Sequence, residues 1–222
     1  MSTLVCFALK EEAAAFQRIA VDKPGVDILI VGIGRPNAEK SIRKFLTSKI
    51  PALVLTCGFA GGLSPDLKLG EIVFGESALQ TTAGKQSEPP EAGCYERLAV
   101  AGAKPVKFHC ADRIATTVAE KRKLRAETGA DAVEMESAAI HAVCQEHSIP
   151  CVTVRVISDT ALEDLPLDFN ALAKPDKSLD FGKLAMTIAK SPGKIGALME
   201  LQKKTSFAAQ QLADVLEQIT SA

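Results

Sequence analysis

Short apolar runs rich in β-branched residues alternate along this chain with longer segments of helical period, and that alternation points to an α/β architecture. LVCFAL (4–9), DILIVGIG (27–34), ALVLTCGFAGGL (52–63), KLGEIVFGESAL with a turn near Gly70, PVKFHCA, ADAVEM and CVTVRVISD (151–159) read as strands. Between the first two, KEEAAAFQRIA places Ala13, Phe16 and Ala20 on one helical face. A second helix runs from about Pro36 to Ser48, with proline in the first turn, where its missing N–H would have no helical partner anyway. TTVAEKRKLRAET predicts a helix capped by Thr116 or Thr117 and ended by Gly129. ESAAIHAVCQEHS, DFGKLAMTIAK and a long segment from about Ile195 predict three more. TTAGKQSEPPEAGC (81–94) has no period and predicts a mobile surface loop.

At 222 residues and 47% hydrophobic, the chain suits one domain with a sizeable core. Its 26 Lys and Arg against 27 Asp and Glu leave no net basic surface for nucleic acid or an anionic membrane. Six cysteines without a CxxC pair argue for reduced thiols and against a metal cluster or a stapled scaffold. No stretch of about 18 apolar residues and no signal-peptide pattern is visible, so a cytoplasmic protein without a membrane span is expected. His109, His141 and His147 lack metal-ligand spacing, and GIGRPN (32–37) lacks the third glycine of the dinucleotide fingerprint. No metal and no cofactor is expected. The absence of a Gly-x-Ser-x-Gly elbow disfavours a serine hydrolase.

Ligands of α/β sheets gather outside the carboxyl ends of the strands. Glu12, the loop from Gly58 to Gly62, the stretch from Glu134 to Glu136, and Ser158 with Asp159 all fall just past strand ends, on one expected rim. Each has an ordinary alternative. Glu11 and Glu12 suit the positive end of a helix, glycines 58, 61 and 62 permit a tight turn, and Asp159 suits a helix cap. Arg155 is more telling, because it interrupts VTVRVI, a run that otherwise fits a strand covered on both faces. Its guanidinium needs an acidic partner or a bound anion.

AVEMESAAIHAVC followed by IPCVTVRVISDTA resembles the signature of the nucleoside phosphorylase superfamily, and especially of its 5′-methylthioadenosine/S-adenosylhomocysteine nucleosidases. ALKEEAAAF is similar to the family's first strand and helix start, and TCGFAGGLSPDLKLGEIVF to its glycine loop, so the resemblance covers most of residues 3–163. DRIATTVAEKRKLRAETGADAVEMES and the long tail resemble the hopanoid-associated branch, whose substrate is a lipid-linked adenosine nucleoside. The resemblance implies a single α/β domain of three layers, α/β/α, with a mixed, twisted central sheet. Residues from about 165 to 222 would form a helical C-terminal extension, and the chain would assemble as a homo-oligomer, a dimer or more.

It also implies cleavage of the N-glycosidic bond of a purine nucleoside, with adenine as the expected base. Water is the favoured nucleophile, because ALKEEA stands where hexameric phosphorylases carry a Gly-Asp-x-x-Arg phosphate-binding element. Phosphorolysis, including that of a hopanoid-type adenosyl lipid, is the alternative, with Arg35 or Arg155 as the anion site. A non-catalytic nucleoside-binding module is a third reading. By motif position, Asp159 donates a proton to N7 of the base and Ser158 orients it. Glu136 accepts hydrogen bonds from the ribose hydroxyls, Met135 packs on the sugar, Glu12 positions or activates the water, and Arg155 stands near that nucleophile. Glu134 has no catalytic counterpart and is expected to pair with a neighbour such as Arg155. Gly58, Phe59 and Ala60 of the glycine loop complete the binding set with Ile114, which lies where nucleosidases carry a stacking phenylalanine. As general acid, Asp159 must start out protonated, and burial against Val156 and Ile157 is expected to achieve that. An anionic Glu136 would favour the cation-like sugar of the transition state.

Overall fold

The structure is a computed structural model that describes residues 2–21, 23–75, 92–174, 176–177, 180–191 and 193–220. Strand β1 (Thr3–Phe7) shows why the apolar runs are unbroken: its side chains alternate between two covered faces. Val5 and Phe7 enter one core with Phe16 of α1 (Lys10–Ala20) and Leu212 of α7 (Lys194–Thr220). Leu4 and Cys6 enter the other, with Ile42 of α2 (Arg35–Leu46) and Ile140 of α5 (Ser137–Glu146). Helices therefore cover both faces of the sheet, giving the three layers that the resemblance implied.

The sheet runs β2 (Val26–Ile30), β1, β3 (Leu53–Gly62), β8 (Cys151–Asp159), β4 (Ile72–Gly75), β5 (Lys104–Val106). β7 (Ala132–Glu134) joins β3 at Gly61 and Gly62, beyond the point where β1 leaves it, and carries β6 (Phe108–Cys110) on its other side. Pairings of β8 with β4 and of β7 with β3 are antiparallel and the others parallel, so the sheet is mixed. Helix α4 (Val118–Thr128) begins and ends where its caps predict: the Glu120 N–H donates to Thr117 Oγ1 at 3.1 Å, and Gly129 takes the left-handed conformation at φ 64°. α6 (Phe181–Lys190) is capped by Asp180. Among the described residues no helix is long and apolar enough to cross a membrane.

Two expectations change. Residues 92–94, read as the end of a loop, open α3 (Ala92–Val100), which buries Cys94, Tyr95 and Leu98 and sets Tyr95 against Phe74 with ring centroids 5.6 Å apart. A nine-residue helix following a polar stretch leaves too short a periodic window to be seen. The rest of that loop, 81–91, and the end of the fourth predicted strand, 76–79, lie outside the described residues. PVKFHCA, read as one strand, is two: β5 pairs with β4 and β6 with β7, and between them the Lys107 N–H donates to Asp131 Oδ2.

Candidate active site

A cavity of about 340 Å³ opens where β3 and β8 end. Glu12 reaches it from the first turn of α1, Phe59 and Ala60 from β3, and Ile114 from the loop before α4. Met135 and Glu136 line it from the junction of β7 and α5, and Ser158 and Asp159 from the end of β8. β7 approaches differently from the expected rim arrangement, because it runs antiparallel to β3 and brings Glu134 to Glu136 back toward the sheet. At β8 the register with β3 shifts: Ile157 pairs with Ala60 and Asp159 with Gly61, leaving Ser158 as the extra residue of a bulge. A bulge re-aims side chains that strict alternation would send to opposite faces, and both Ser158 and Asp159 reach the cavity.

Arg155 and Gly58 stand behind that wall, not on it. The guanidinium of Arg155 is 1% exposed. It donates to Glu134 Oε2 at 2.7 Å, to the Cys57 carbonyl at 2.8 Å and to Thr56 Oγ1 at 3.2 Å, with Glu136 Oε2 at 3.6 Å. Gly58 leaves room for this arrangement. A Cβ there would lie 2.7 Å from both Arg155 Nη1 and Glu12 Oε1, and the backbone φ of +139° already disfavours a side chain.

The three buried glutamates differ in their surroundings. Glu134 accepts from Arg155, from the Glu136 and Ser137 N–H groups at 2.9 and 2.7 Å, and from Ser137 Oγ at 2.6 Å. Burial would raise its pKa, but the Arg155 charge and the Ser137 hydrogen bonds outweigh burial and hold it below the ordinary value. Glu134 is thus the ionised partner of Arg155 and accepts from the N–H groups where α5 begins. Glu136 accepts from the Gly34 N–H at 2.8 Å, and burial pushes its pKa up to about 7, with Arg155 opposing and the Glu134 and Glu12 charges adding. Glu12 accepts from the Leu9 N–H and the Phe59 N–H, each at 2.9 Å. Burial raises its proton affinity, against the Phe59 hydrogen bond and the Arg155 charge. That suits a group that takes a proton from water.

Asp159 meets something the sequence reading did not foresee. Its Oδ1 accepts from Ser158 Oγ at 2.7 Å, but Oδ2 lies 2.5 Å from Nζ of Lys121, a fully buried lysine of α4. The expected apolar surroundings of Val156 and Ile157 are corrected accordingly: both are buried in the core, while the carboxyl group itself sits in an ion pair. Lys121 lies within KRK, which reads as a solvated face, though it sits three residues before Leu124, whose side chain packs on the core. Phe169 and Leu165 were missed as well, because they stand in an irregular segment without a periodic signal. Phe169 adds an aromatic wall to the cavity, and Asn170 clamps the Ile114 backbone with two hydrogen bonds of 2.9 Å each.

Residues 12–189 match the phosphorylase superfamily. The 5′-methylthioadenosine/S-adenosylhomocysteine nucleosidase of Shewanella halifaxensis is 26% identical over 181 residues, which cover 71% of this chain and 79% of that one. The futalosine hydrolase structure from Helicobacter pylori superposes with a TM-score of 0.68 at 19% identity, over 99% of this chain and 97% of that one. A methylthioadenosine/S-adenosylhomocysteine nucleosidase from Colwellia psychrerythraea, solved in complex with adenine, gives 0.69 at 20% identity, over 99% and 94%. The likeness to these structures is one of fold. The family match spans most of the chain and takes in every residue of the cavity wall named above, and the chain belongs to the phosphorylase superfamily.

Proposed function

We propose that this protein hydrolyses the N-glycosidic bond of a purine nucleoside, with adenine as the base, releasing free base and a ribose derivative. The observation that carries this reading is that Asp159, Glu136 and Glu12 all line one cavity. A purine leaves a sugar poorly as an anion; Asp159 takes up a proton beside Lys121 before the step and passes it to N7, which lowers that barrier. Glu136 binds the ribose hydroxyls, with Met135 against the sugar, and above about pH 7 its negative charge favours the cation-like pentose. Glu12, held by two backbone N–H groups, accepts a proton from the attacking water. Phe59, Ala60, Ile114 and Phe169 supply the apolar walls around base and sugar. Ser158 orients Asp159, and Arg155 acts from behind by fixing Glu134 and, through charge, Glu136. The names of the relatives support nucleoside cleavage and an adenine base.

Water is preferred to phosphate because the candidate anion sites are engaged. Arg155 is bound to Glu134, and Arg35 donates to the Cys110 carbonyl and pairs with Asp112 at 3.5 Å. Neither lines the cavity. A homo-oligomer in the cytoplasm belongs to the same proposal. Incubation with a panel of purine nucleosides, with and without phosphate, tests the reaction. Free base with free sugar is expected in both conditions; ribose 1-phosphate formed only with phosphate would replace hydrolysis by phosphorolysis, and no base from any nucleoside would refute glycosidic cleavage.

A further inference from the structure

Lys121 stands behind the cavity wall, in contact with Asp159. Its ammonium is fully buried and has three hydrogens to place. They are matched by Asp159 Oδ2 at 2.5 Å, the Thr160 carbonyl at 2.7 Å and the Glu163 carbonyl at 3.0 Å. Burying an ammonium costs several kcal/mol, and a well-packed apolar side chain in place of an ion pair is commonly neutral or stabilising. A pin between α4 and the turn after β8 therefore does not by itself call for a charge. The charge does fit the reaction. Asp159 lines the cavity on one side and touches Lys121 on the other, so the lysine reaches the substrate only through the acid.

We propose that Lys121 is a positioning residue for base release: its buried ammonium fixes the Asp159 carboxyl group toward the cavity and stabilises the carboxylate left when the proton has gone to the purine. This rests on the glycosidic-cleavage reading. In the step itself, the Asp159 proton moves to N7 while the C1′–N9 bond breaks and its electron pair stays with the base, which leaves neutral. The oxygen of water bonds to C1′, and the water proton passes to Glu12. Asp159 is left as a carboxylate with its counterion already in place, so no solvent reorganisation is needed to stabilise it. Solvent exchange returns the proton from Glu12 to Asp159 and closes the cycle.

The test compares leaving groups. Adenosine and 5′-methylthioadenosine need the proton, whereas 4-nitrophenyl β-D-riboside releases a phenolate that does not. Lys121→Met is expected to lower kcat on the purine nucleosides about 100-fold with KM changed by less than about threefold, and to lose at least about tenfold less on the nitrophenyl riboside. Adding Lys121→Met to Asp159→Asn should slow the enzyme no further than Asp159→Asn alone, since the lysine acts through the acid. Lys123→Met, at an exposed position of the same helix, serves as the unaffected control. If Lys121→Met does not fold, Lys121→Gln, which keeps a donor for the two carbonyls, carries both comparisons. Equal losses on the two leaving groups, or additive losses in the double variant, would show that Lys121 only holds the fold together and would overturn the proposal. A wild type that releases no base from any purine nucleoside refutes the cleavage reading instead.

Discussion

Replacing Glu136 by glutamine should make the protein more stable in alkaline solution while disabling it. The folded protein holds a proton on Glu136 up to about pH 7, whereas the unfolded chain releases it near the ordinary value of 4.5. Between those two values the folded state binds more protons than the unfolded state, so stability falls as pH rises through the window. Below it the carboxyl group is neutral in both states and has no effect. Above it the wild type carries a buried charge beside Glu134, and the gap between 4.5 and about 7 corresponds to roughly 3 kcal/mol at ~1.4 kcal/mol per tenfold change in proton concentration. Glutamine never ionises, so the variant escapes that cost and gives up part of it through a weaker hydrogen bond from the Gly34 N–H. Urea unfolding of both proteins at pH 5, 6, 7 and 8, at one fixed protein concentration, measures the difference directly. The variant should gain on the wild type from pH 5 to about pH 7, by up to roughly 3 kcal/mol, and the gain should level off by pH 8. In the same samples kcat/KM should fall more for ribosides than for 2′-deoxy analogues, which lack a hydroxyl for the glutamate to hold. A stability difference that does not change with pH would refute the reasoning about burial, and equal losses on riboside and deoxyriboside would refute the sugar contact.

Two further substitutions test the acid on the wall and the arginine behind it. Asp159→Asn keeps the shape but removes the transferable proton; release of purine should drop by about 10²- to 10⁴-fold while calorimetry still detects nucleoside binding, and undiminished turnover would remove Asp159 from the mechanism. Arg155→Met leaves Glu134 buried without its cation, and thermal unfolding should show a loss of about 3–5 kcal/mol. A loss below about 1 kcal/mol would mean that the pair does not hold the site together.

Much of this molecule follows from short-range rules written in the sequence. CVTVRVISD reads as a strand and is one over Cys151–Asp159, because a nine-residue β-branched run covered on both faces has no competing periodicity. Thr117 and Gly129 bound α4 because a cap is decided by residues within one turn of it. An arginine inside an apolar strand demands an anion wherever the chain goes, and Glu134 supplies it. α3 escaped notice because its period lasts only nine residues after a polar stretch. Glu12 and Asp159 follow from strand direction, because β1 and β8 run parallel to β3, whereas Glu134 to Glu136 arrive on a strand antiparallel to it. What the sequence could not contain was which distant groups would meet there. The bulge that turns Ser158 and Asp159 to the same cavity depends on the register between β3 and β8, nearly a hundred residues apart. Lys121 beside Asp159, and Phe169 in the same cavity wall as that acid, depend on how α4 and an irregular segment pack over the strand ends. Periodicity and capping act over a few residues, whereas an ion pair between remote positions exists only once the packed sheet has fixed both ends in space.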